Sequence, residues 1–593
     1  MSGKLWGIGL GPGDPELVTV KAARIIGAAD VIAFHSARHG RSISRAIAAP
    51  YMRAGQLEEH LVYPVTTETT EHPGGYQGAI DDFYESAAAR LAEHLAAGRS
   101  VALLAAGDPL FYSSFQHMHR RLADRFDSEI IPGVTSVSAA SAALATPLVE
   151  GEQVLTILPG TMDTDELTRR LRETDAAAIM KLGRTYPGVR QALADSGRLD
   201  DAFYIERASS TRQRVLRAAD VDEASVPYFA ITIVPGPAPQ TRIPLTETTA
   251  NPGAPASNAE SAATSSAARA TTHATTPNDV LGVADSPACS GPADSAVISG
   301  ETESGAPAGE AGAFAVTADA AIGAARANAS ADTNSSAASA GPLADAPGQV
   351  VVVGLGPGSQ EWITPEVARA LAEATDIVGY ATYVNRVPER PGQQRHSSDN
   401  KVESERAAMA LDLAKRGAKV VVVSGGDPGV FAMAAAVIEE SSDPQWRAVP
   451  VRVLPGVTAA TAVASRVGAP LGHDFAMISL SDRLKPWEVV AGRLAAVAAA
   501  DMAFAVYNPR SSQRTWQVGA MKDLLLEHRK PETPVILGRD VGGPAESVRV
   551  VTLAELDPDE VDMRTLLIVG ASTTTVFEAA NGPRVFTSRR YGE

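Results

Sequence analysis

Two carboxylates open the chemical reading of this chain. Asp108 stands in Gly107-Asp108-Pro109 and Asp427 in Gly426-Asp427-Pro428; each triplet follows an apolar run and precedes aromatic side chains, Phe111 and Tyr112 in one case and Phe431 in the other. A Gly-Asp-Pro straight after a buried strand is a turn signal in its own right, and taken alone each aspartate reads as part of a structural turn. Upstream of each lies a glycine loop, Gly7-Ile8-Gly9-Leu10-Gly11-Pro12-Gly13 and Val353-Gly354-Leu355-Gly356-Pro357-Gly358. Neither is a dinucleotide fingerprint, since Asp14 and Ser359 stand where its last glycine belongs, and neither contains the Gly-Lys-Ser/Thr of a phosphate loop. A third pair, Ile131-Pro132-Gly133-Val134-Thr135-Ser136 and Leu454-Pro455-Gly456-Val457-Thr458-Ala459, opens an Ala-rich helix each time. Three motifs in one order, in two copies, mean an internal duplication.

Other residue types could add chemistry. His473, Asp474 and Asp482 lie in loops flanking strands and could move protons; His473-Asp474 could equally end a helix and cap a strand. Arg38, His39, Arg41 and Arg184 in the first half, with Arg386, Arg395, Arg510 and Arg514 in the second, could meet an anionic substrate, although each alone is an ordinary surface cation. His117 and His119 are two apart and would not share a helix face, so no metal is expected. The single cysteine, Cys289, excludes a disulfide framework and a cysteine zinc site and fits a cytoplasmic setting. A formal charge of −17 argues against nucleic acid and against anionic membrane surfaces as partners. No apolar run approaches about 20 residues, and the amino terminus lacks the layout of a signal peptide.

The elements that must position these residues alternate. Apolar runs at Lys4–Ile8, Asp30–Phe34 and Ser100–Ala105 read as strands of a sheet covered on both faces, and Thr19 and Thr364 are placed to cap the helices that follow the glycine loops. A helix is predicted over Tyr84–Ala97. Further strands are predicted at Val154–Leu158, Ala177–Lys181, Ala202–Glu206 and Phe229–Val234, and in the second half at Val350–Val353, Val420–Val423, Phe475–Leu480, Met502–Tyr507, Pro534–Gly538 and Leu566–Val569. The alternation is that of an α/β protein. Between the halves, residues 248–347 are dominated by Ala, Ser, Thr, Gly and Pro, with Phe314 as the one large aromatic. Such a stretch cannot offset an ordering entropy of roughly 1–2 kcal/mol per residue. The expected organisation is 1–247, a disordered and dispensable linker at 248–347, and 348–593, with proteolysis in the linker releasing two stable pieces.

Taken together, the three motifs resemble those of the tetrapyrrole-type (class III) methyltransferases, two-domain α/β enzymes that bind S-adenosylmethionine in the cleft between domains. Gly9-Leu-Gly-Pro-Gly-Asp-Pro-Glu-Leu17, Gly107-Asp-Pro-Leu-Phe-Tyr-Ser113 and Met180-Lys181-Leu-Gly-Arg184 are similar to precorrin-2 C-20-methyltransferases. Ser397-Ser-Asp-Asn-Lys-Val-Glu-Ser-Glu-Arg406, Gly472-His-Asp-Phe475, Ile478-Ser-Leu-Ser-Asp482 and Tyr507-Asn-Pro-Arg-Ser-Ser-Gln-Arg-Thr515 are similar to precorrin-3B C-17-methyltransferases. The resemblance implies two tandem copies of the fold and two methylations of precorrins in cobalamin biosynthesis, the second coupled to ring contraction, for which His473, Asp474 and Asp482 are the acid/base candidates. It implies one S-adenosylmethionine per half, held by Pro12, Gly107, Asp108, Thr135, Ser136, Met180 and Ala230 in the first and by Pro357, Gly426, Asp427, Thr458, Ala459, Tyr507 and Asn508 in the second. Ala459 departs from Ser136, and Tyr507-Asn508 from Met180-Lys181. Related single enzymes are dimers, so a homo-oligomer is expected, with like halves paired because the copies have diverged outside the motifs; the two sites are expected to act independently. A tetrapyrrole carrier with one half inactive, or methylation of another substrate, stays open as an alternative.

Overall fold

The structure, a computed structural model, describes residues 2–38, 40–65, 70–151, 153–236, 348–399, 403–482, 485–579 and 582–588. The expected linker at 248–347 and the candidate His39 lie outside the described residues. The first half opens with β1 (Leu5–Gly9), β2 (Val31–Ser36), β3 (Leu57–Val62), β4 (Val101–Ala105) and β5 (Ser128–Ile131), a five-stranded sheet in the order β3-β2-β4-β1-β5. All its pairs are parallel. Ile8, Ile32, Ala102 and Leu104 pack with Ile25 and Ile26 of helix Val20–Ala28, while Leu5, Val31, Ala33 and Leu103 pack with residues of helices Gly75–Ala96 and Phe115–Leu122. Residues adjacent in a strand thus enter separate cores on the two faces, which is why these strands are apolar throughout. Neighbours β1 and β4 send their chains in opposite directions along the sheet. Such a reversal opens a crevice at the carboxyl ends of the strands, and all three motifs end there.

A second domain supplies β6 (Leu155–Pro159), β7 (Ala176–Met180), β8 (Phe203–Glu206), β9 (Arg214–Arg217) and β10 (Ala230–Val234). The other half repeats the first sheet as β11 (Gln349–Gly354), β12 (Asp376–Tyr380), β13 (Gln394–Ser398), β14 (Lys419–Ser424) and β15 (Val451–Leu454), in the order β13-β12-β14-β11-β15. It continues through β16 (Gly468–Ala469), β17 (Phe475–Ser479), β18 (Ala503–Tyr507), β19 (Pro534–Arg539), β20 (Ser547–Thr552), β21 (Thr565–Val569), β22 (Thr574–Ala579) and β23 (Gly582–Thr587). Among the described residues, a small sheet of β16, β23 and β22 belongs to this half alone.

The second domains of the two halves form one ten-stranded sheet, β20-β19-β21-β18-β17-β6-β7-β10-β8-β9. Outward from its centre the order is the same in both directions, and β6 meets β17 antiparallel with Ala476 opposite Thr156, Phe475 opposite Ile157 and Met477 opposite Leu155. Each half therefore pairs with the other half of its own chain, which corrects the expectation of like with like. The physical reason lies in what joins them: a strand seam is made of main-chain hydrogen bonds and apolar bulk, and neither requires the two copies to keep the same side chains. The seam continues beyond the sheet. Val20 N donates to Ile363 O at 3.0 Å, Arg24 meets Glu361 at 2.6 Å, and Arg369 pairs with Glu16. Among the described residues no helix is long and apolar enough to cross a membrane.

The helices after the glycine loops begin at Val20 and Pro365 behind caps Thr19 and Thr364, as predicted. The helix predicted from Tyr84 starts earlier, at Gly75, because its first turns are polar and partly exposed.

Candidate functional site

Each crevice is built by stapling the three motifs together. Gly11 N donates to Gly107 O at 3.2 Å and Gly107 N to Gly11 O at 2.7 Å; the second half repeats this with Gly356 N to Gly426 O at 3.2 Å and Gly426 N to Gly356 O at 3.0 Å. All four glycines have φ between 65° and 73°, a region that favours glycine. Asp108 completes the clamp. One carboxylate oxygen accepts from Leu110 N at 2.9 Å and the other from Gly133 N at 3.0 Å, tying the second motif to the third; Asp427 does the same with Gly429 N at 2.9 Å and Gly456 N at 3.0 Å. Burial pushes Asp108 up to about 7 and Asp427 up to about 6 against the pull of those amides. Both carboxylates are thus structural members of the loop.

Glycine is also required where backbones touch. A Cβ on Gly133 would lie 2.3 Å from Gly107 O, and one on Gly456 would lie 2.4 Å from Gly426 O. In front of Gly107, by contrast, an added Cβ meets nothing within 4 Å, and at Gly426 nothing nearer than 3.9 Å. That open space, floored by main-chain groups and adjoining the amino end of a helix, suits a small polar cofactor.

The walls differ between halves. Thr135 caps its own helix, Ser136–Leu144, by accepting from Ser138 N at 3.1 Å. Thr458 makes no such cap: its hydroxyl pairs with the Tyr507 hydroxyl at 2.6 Å, and Tyr507 accepts from Ala460 N at 3.2 Å in its place. Enclosure of that hydroxyl pushes the phenol up to about 12, so it stays neutral. Met180 stands at the same point of the first half, at the end of β7, without a polar group. Pro12 and Pro357 lie in the glycine loops, Ser136 and Ala459 open the helices, and Ala230 begins β10.

Left-handed residues other than glycine recur at matching points: Tyr112 and Phe431 after the Gly-Asp-Pro turns, Lys181 and Asn508 after β7 and β18, Arg207 and Asp540 after β8 and β19. Such backbone is uncommon and costs of order 1 kcal/mol or more per residue, so its repetition at the domain junction marks a functional surface. Lys181 Nζ lies 4.3 Å from the centre of the Tyr112 ring. Asn508 Nδ2 instead donates to Ser479 Oγ at 3.1 Å.

The acid/base candidates are not together. His473 and Asp474 pair with each other just before β17, whereas Asp482 lies past its far end and accepts from Gln517 Nε2 at 2.8 Å. The expected cluster is thus split by a whole strand. Phe475, next to Asp474, packs edge-on to Phe111 of the first half at 5.3 Å, so the His473-Asp474 pair sits toward the first crevice. The second-half arginines hold backbone. Arg386 donates to Leu355 O, Gly356 O and Gly358 O at 3.0, 2.8 and 2.5 Å, Arg395 to Val384 O and Val387 O, and buried Arg514 to Leu480 O and Asn508 O. Arg510 bonds Pro558 O and Asp559. Arg38, Arg41 and Arg184 are exposed.

One feature left no sequence signal. The second-half turn is seated on the first half: Leu148 N donates to Gly429 O at 3.2 Å and Phe431 N to Val149 O at 3.3 Å, while Ser138 of the first half pulls Asp427 down against the rise caused by its burial. The two sites share a wall, so the halves are one packed body rather than two separately folded blocks.

A family model for the tetrapyrrole (corrin/porphyrin) methylases matches residues 4–223 and again 349–557. The cobalamin biosynthesis protein CobIJ of Mycobacterium tuberculosis (strain ATCC 25618 / H37Rv) is 53% identical over 595 residues, covering 100% of this chain and 96% of that protein. A precorrin-2 C(20)-methyltransferase of a Sinorhizobium species is 49% identical over 235 residues, 40% of this chain and 96% of that protein. A precorrin-3B C(17)-methyltransferase from the same source is 49% identical over 247 residues, 41% of this chain and 97% of that protein.

Proposed function

The chain belongs to the tetrapyrrole (corrin/porphyrin) methylases, and from that premise we propose that it performs two S-adenosylmethionine-dependent methylations of precorrins in cobalamin biosynthesis. The first half methylates precorrin-2 at C-20. The second methylates precorrin-3B at C-17 with ring contraction. The observation that carries this is the duplicated clamp, with the same donors and acceptors in both halves. It is supported by a relative aligned along the whole chain and by separate relatives named for each reaction. An inactive carrier half would have had no reason to keep its clamp.

S-adenosylmethionine supplies an electrophilic methyl group on a sulfonium. The residues that would hold it are Pro12, Gly107, Thr135, Ser136, Met180 and Ala230 in the first half and Pro357, Gly426, Thr458, Ala459, Tyr507 and Asn508 in the second, with Asp108 and Asp427 setting the shape of the loops. Their work is positioning, which can be worth roughly 7–11 kcal/mol when both reactants are held in attack geometry. For the proton transfers of ring contraction Asp482 is the candidate, because it lies beyond the end of β17 where Ser479 accepts from Asn508 Nδ2 and is oriented by Gln517; His473 and Asp474 would act only from across the seam. Arg38, Arg41 and Arg184 are exposed cations that would draw in a polycarboxylate. Because the halves pair within the chain, one chain supplies a complete two-fold unit without a second copy. A cytoplasmic setting is consistent with the single cysteine.

The test is the purified chain supplied separately with precorrin-2 and precorrin-3B, together with calorimetry using S-adenosylhomocysteine. Two binding sites per chain and one added methyl from each substrate are expected. A single site, or no turnover of either precorrin, would overturn the proposal.

A further inference from the structure

Around the mouth of the first crevice stands a group of aromatic side chains that the second half does not repeat. Tyr228 and Phe229, immediately before β10, are 58% and 48% exposed, with their rings perpendicular at 5.4 Å. Their backbone is fixed: left-handed Arg207 donates from N to Phe229 O at 3.0 Å, and a Cβ on Gly183 would lie 3.8 Å from Tyr228 Cα. Tyr228 is thus held beside the segment Lys181–Arg184. From the first domain comes Tyr63, which directly follows β3, stacks on His35 at 5.3 Å and donates from its hydroxyl to Ser114 Oγ at 2.5 Å. Burial raises the Tyr63 phenol well above its ordinary value, and Tyr228 adds to the rise, so that hydroxyl stays neutral. Lys181, over the Tyr112 ring, adds a cation.

In the second half the matching positions read differently. Met563 and Arg564 precede β21, Asp399 follows β13, and Asn508 follows β18. The aromatic group therefore belongs to the needs of one half, not to the fold. Large aromatic rings held rigidly in water at the edge of a crevice mark a binding surface. The chemistry that fits is a flat, conjugated ring system with carboxylates at its rim, whose face meets aromatic rings and whose edge meets a cation.

We propose that Tyr228 and Phe229 form the contact surface for the flat face of the first half's tetrapyrrole, and that Lys181 pairs with one of its peripheral carboxylates. The assignment rests on the first half being a precorrin-2 methylase. Tyr228→Ala, Tyr228→Phe, Lys181→Met and Lys181→Arg in the full chain test it, with precorrin-2 as the probe for both equilibrium binding and methylation. Tyr228→Ala and Lys181→Met should each raise the Kd and KM for precorrin-2 about tenfold with kcat altered far less, while Tyr228→Phe and Lys181→Arg recover most of the loss. Affinity for S-adenosylhomocysteine should hold. Unchanged precorrin-2 binding in both Tyr228→Ala and Lys181→Met, or a parallel loss of S-adenosylhomocysteine binding, overturns the proposal. If the unaltered chain binds precorrin-2 but methylates it elsewhere than C-20, the functional assignment falls and the contact surface is judged by the binding titration; if it binds no precorrin-2, both fall.

Discussion

In the first half the helix behind Thr135 caps itself; in the second the equivalent helix is capped from outside, by Tyr507 reaching over from β18. Around this difference the backbone of the two crevices is alike, from the paired glycines to the two amides on each aspartate. The lesson is one of division of labour. The clamp that both halves share is written in main-chain geometry and survives duplication, whereas the side chains at the rim have diverged, aromatic and cationic in one half, polar and tied down in the other.

The largest effect should come from breaking what the halves share. Gly133→Ala and Gly456→Ala each place a methyl group well inside contact distance of a carbonyl, and a displaced loop should reduce the corresponding methylation by more than about a hundredfold. Equal loss at both sites, measured as single-substrate turnover, supports a common cradle. Next in size is the cap. Tyr507→Phe leaves Ala460 N and Thr458 without their partner and should lower stability by about 1–2 kcal/mol, read as the midpoint of denaturant unfolding. Met180→Leu, at the matching point, should cost less than about 1.5 kcal/mol. If the two substitutions cost the same, Tyr507 is not the cap.

Ser138→Ala tests the shared wall. Taking away this polar neighbour of Asp427 should cost about 1 kcal/mol, or roughly fivefold in cofactor affinity at the second site; calorimetry of that site would refute the coupling if its affinity stayed fixed. The smallest effect concerns pH. Asp108 and Asp427 have folded pKa values raised above the unfolded value, to about 7 and about 6. Their protonated forms are therefore favoured in the folded state, and each contributes stability that is present at low pH and lost as pH rises through its folded pKa. A protonated carboxyl group is the weaker acceptor for two amides, so the first clamp should loosen before the second on acidification. From pH 7.5 to 6.5 the ratio of second-half to first-half activity should rise about twofold or more, as judged from the two single-substrate rates.

The motifs were legible because their glycines do work that no other residue can, at close approaches and left-handed turns, and that requirement leaves a fixed spelling. The clamp itself was not. Asp108 and Gly133 are far apart in sequence, and nothing in either motif announces that one carboxylate joins them. β3 and β13 escaped notice because Leu-Glu-Glu-His-Leu-Val and Gln-Arg-His-Ser-Ser lack the apolar content of a buried strand. His473, Asp474 and Asp482 looked like neighbours in a sequence where loops are close, but a strand rises about 3.3 Å per residue and carries its two ends apart. The partnership of β6 and β17 was invisible for another reason: each reads as any apolar strand, and pairing is a choice of neighbour rather than of composition.

That partnership decides what a separated half would be. The outermost strands of the ten-stranded sheet carry charge, Arg214 and Arg217 on β9 and Arg549 on β20. Charge on an outer strand discourages further strands from adding to it. The strands at the centre, Leu-Thr-Ile-Leu-Pro and Phe-Ala-Met-Ile-Ser, carry none. Divided, each half would present an uncharged apolar strand with unmet amides and carbonyls, a template for uncontrolled growth. The stable, separate pieces expected from cutting between 248 and 347 would instead stay bound to one another, and a half produced alone would aggregate unless it found a substitute edge. Fusion in one chain delivers that protecting partner in a fixed one-to-one ratio every time the protein is made.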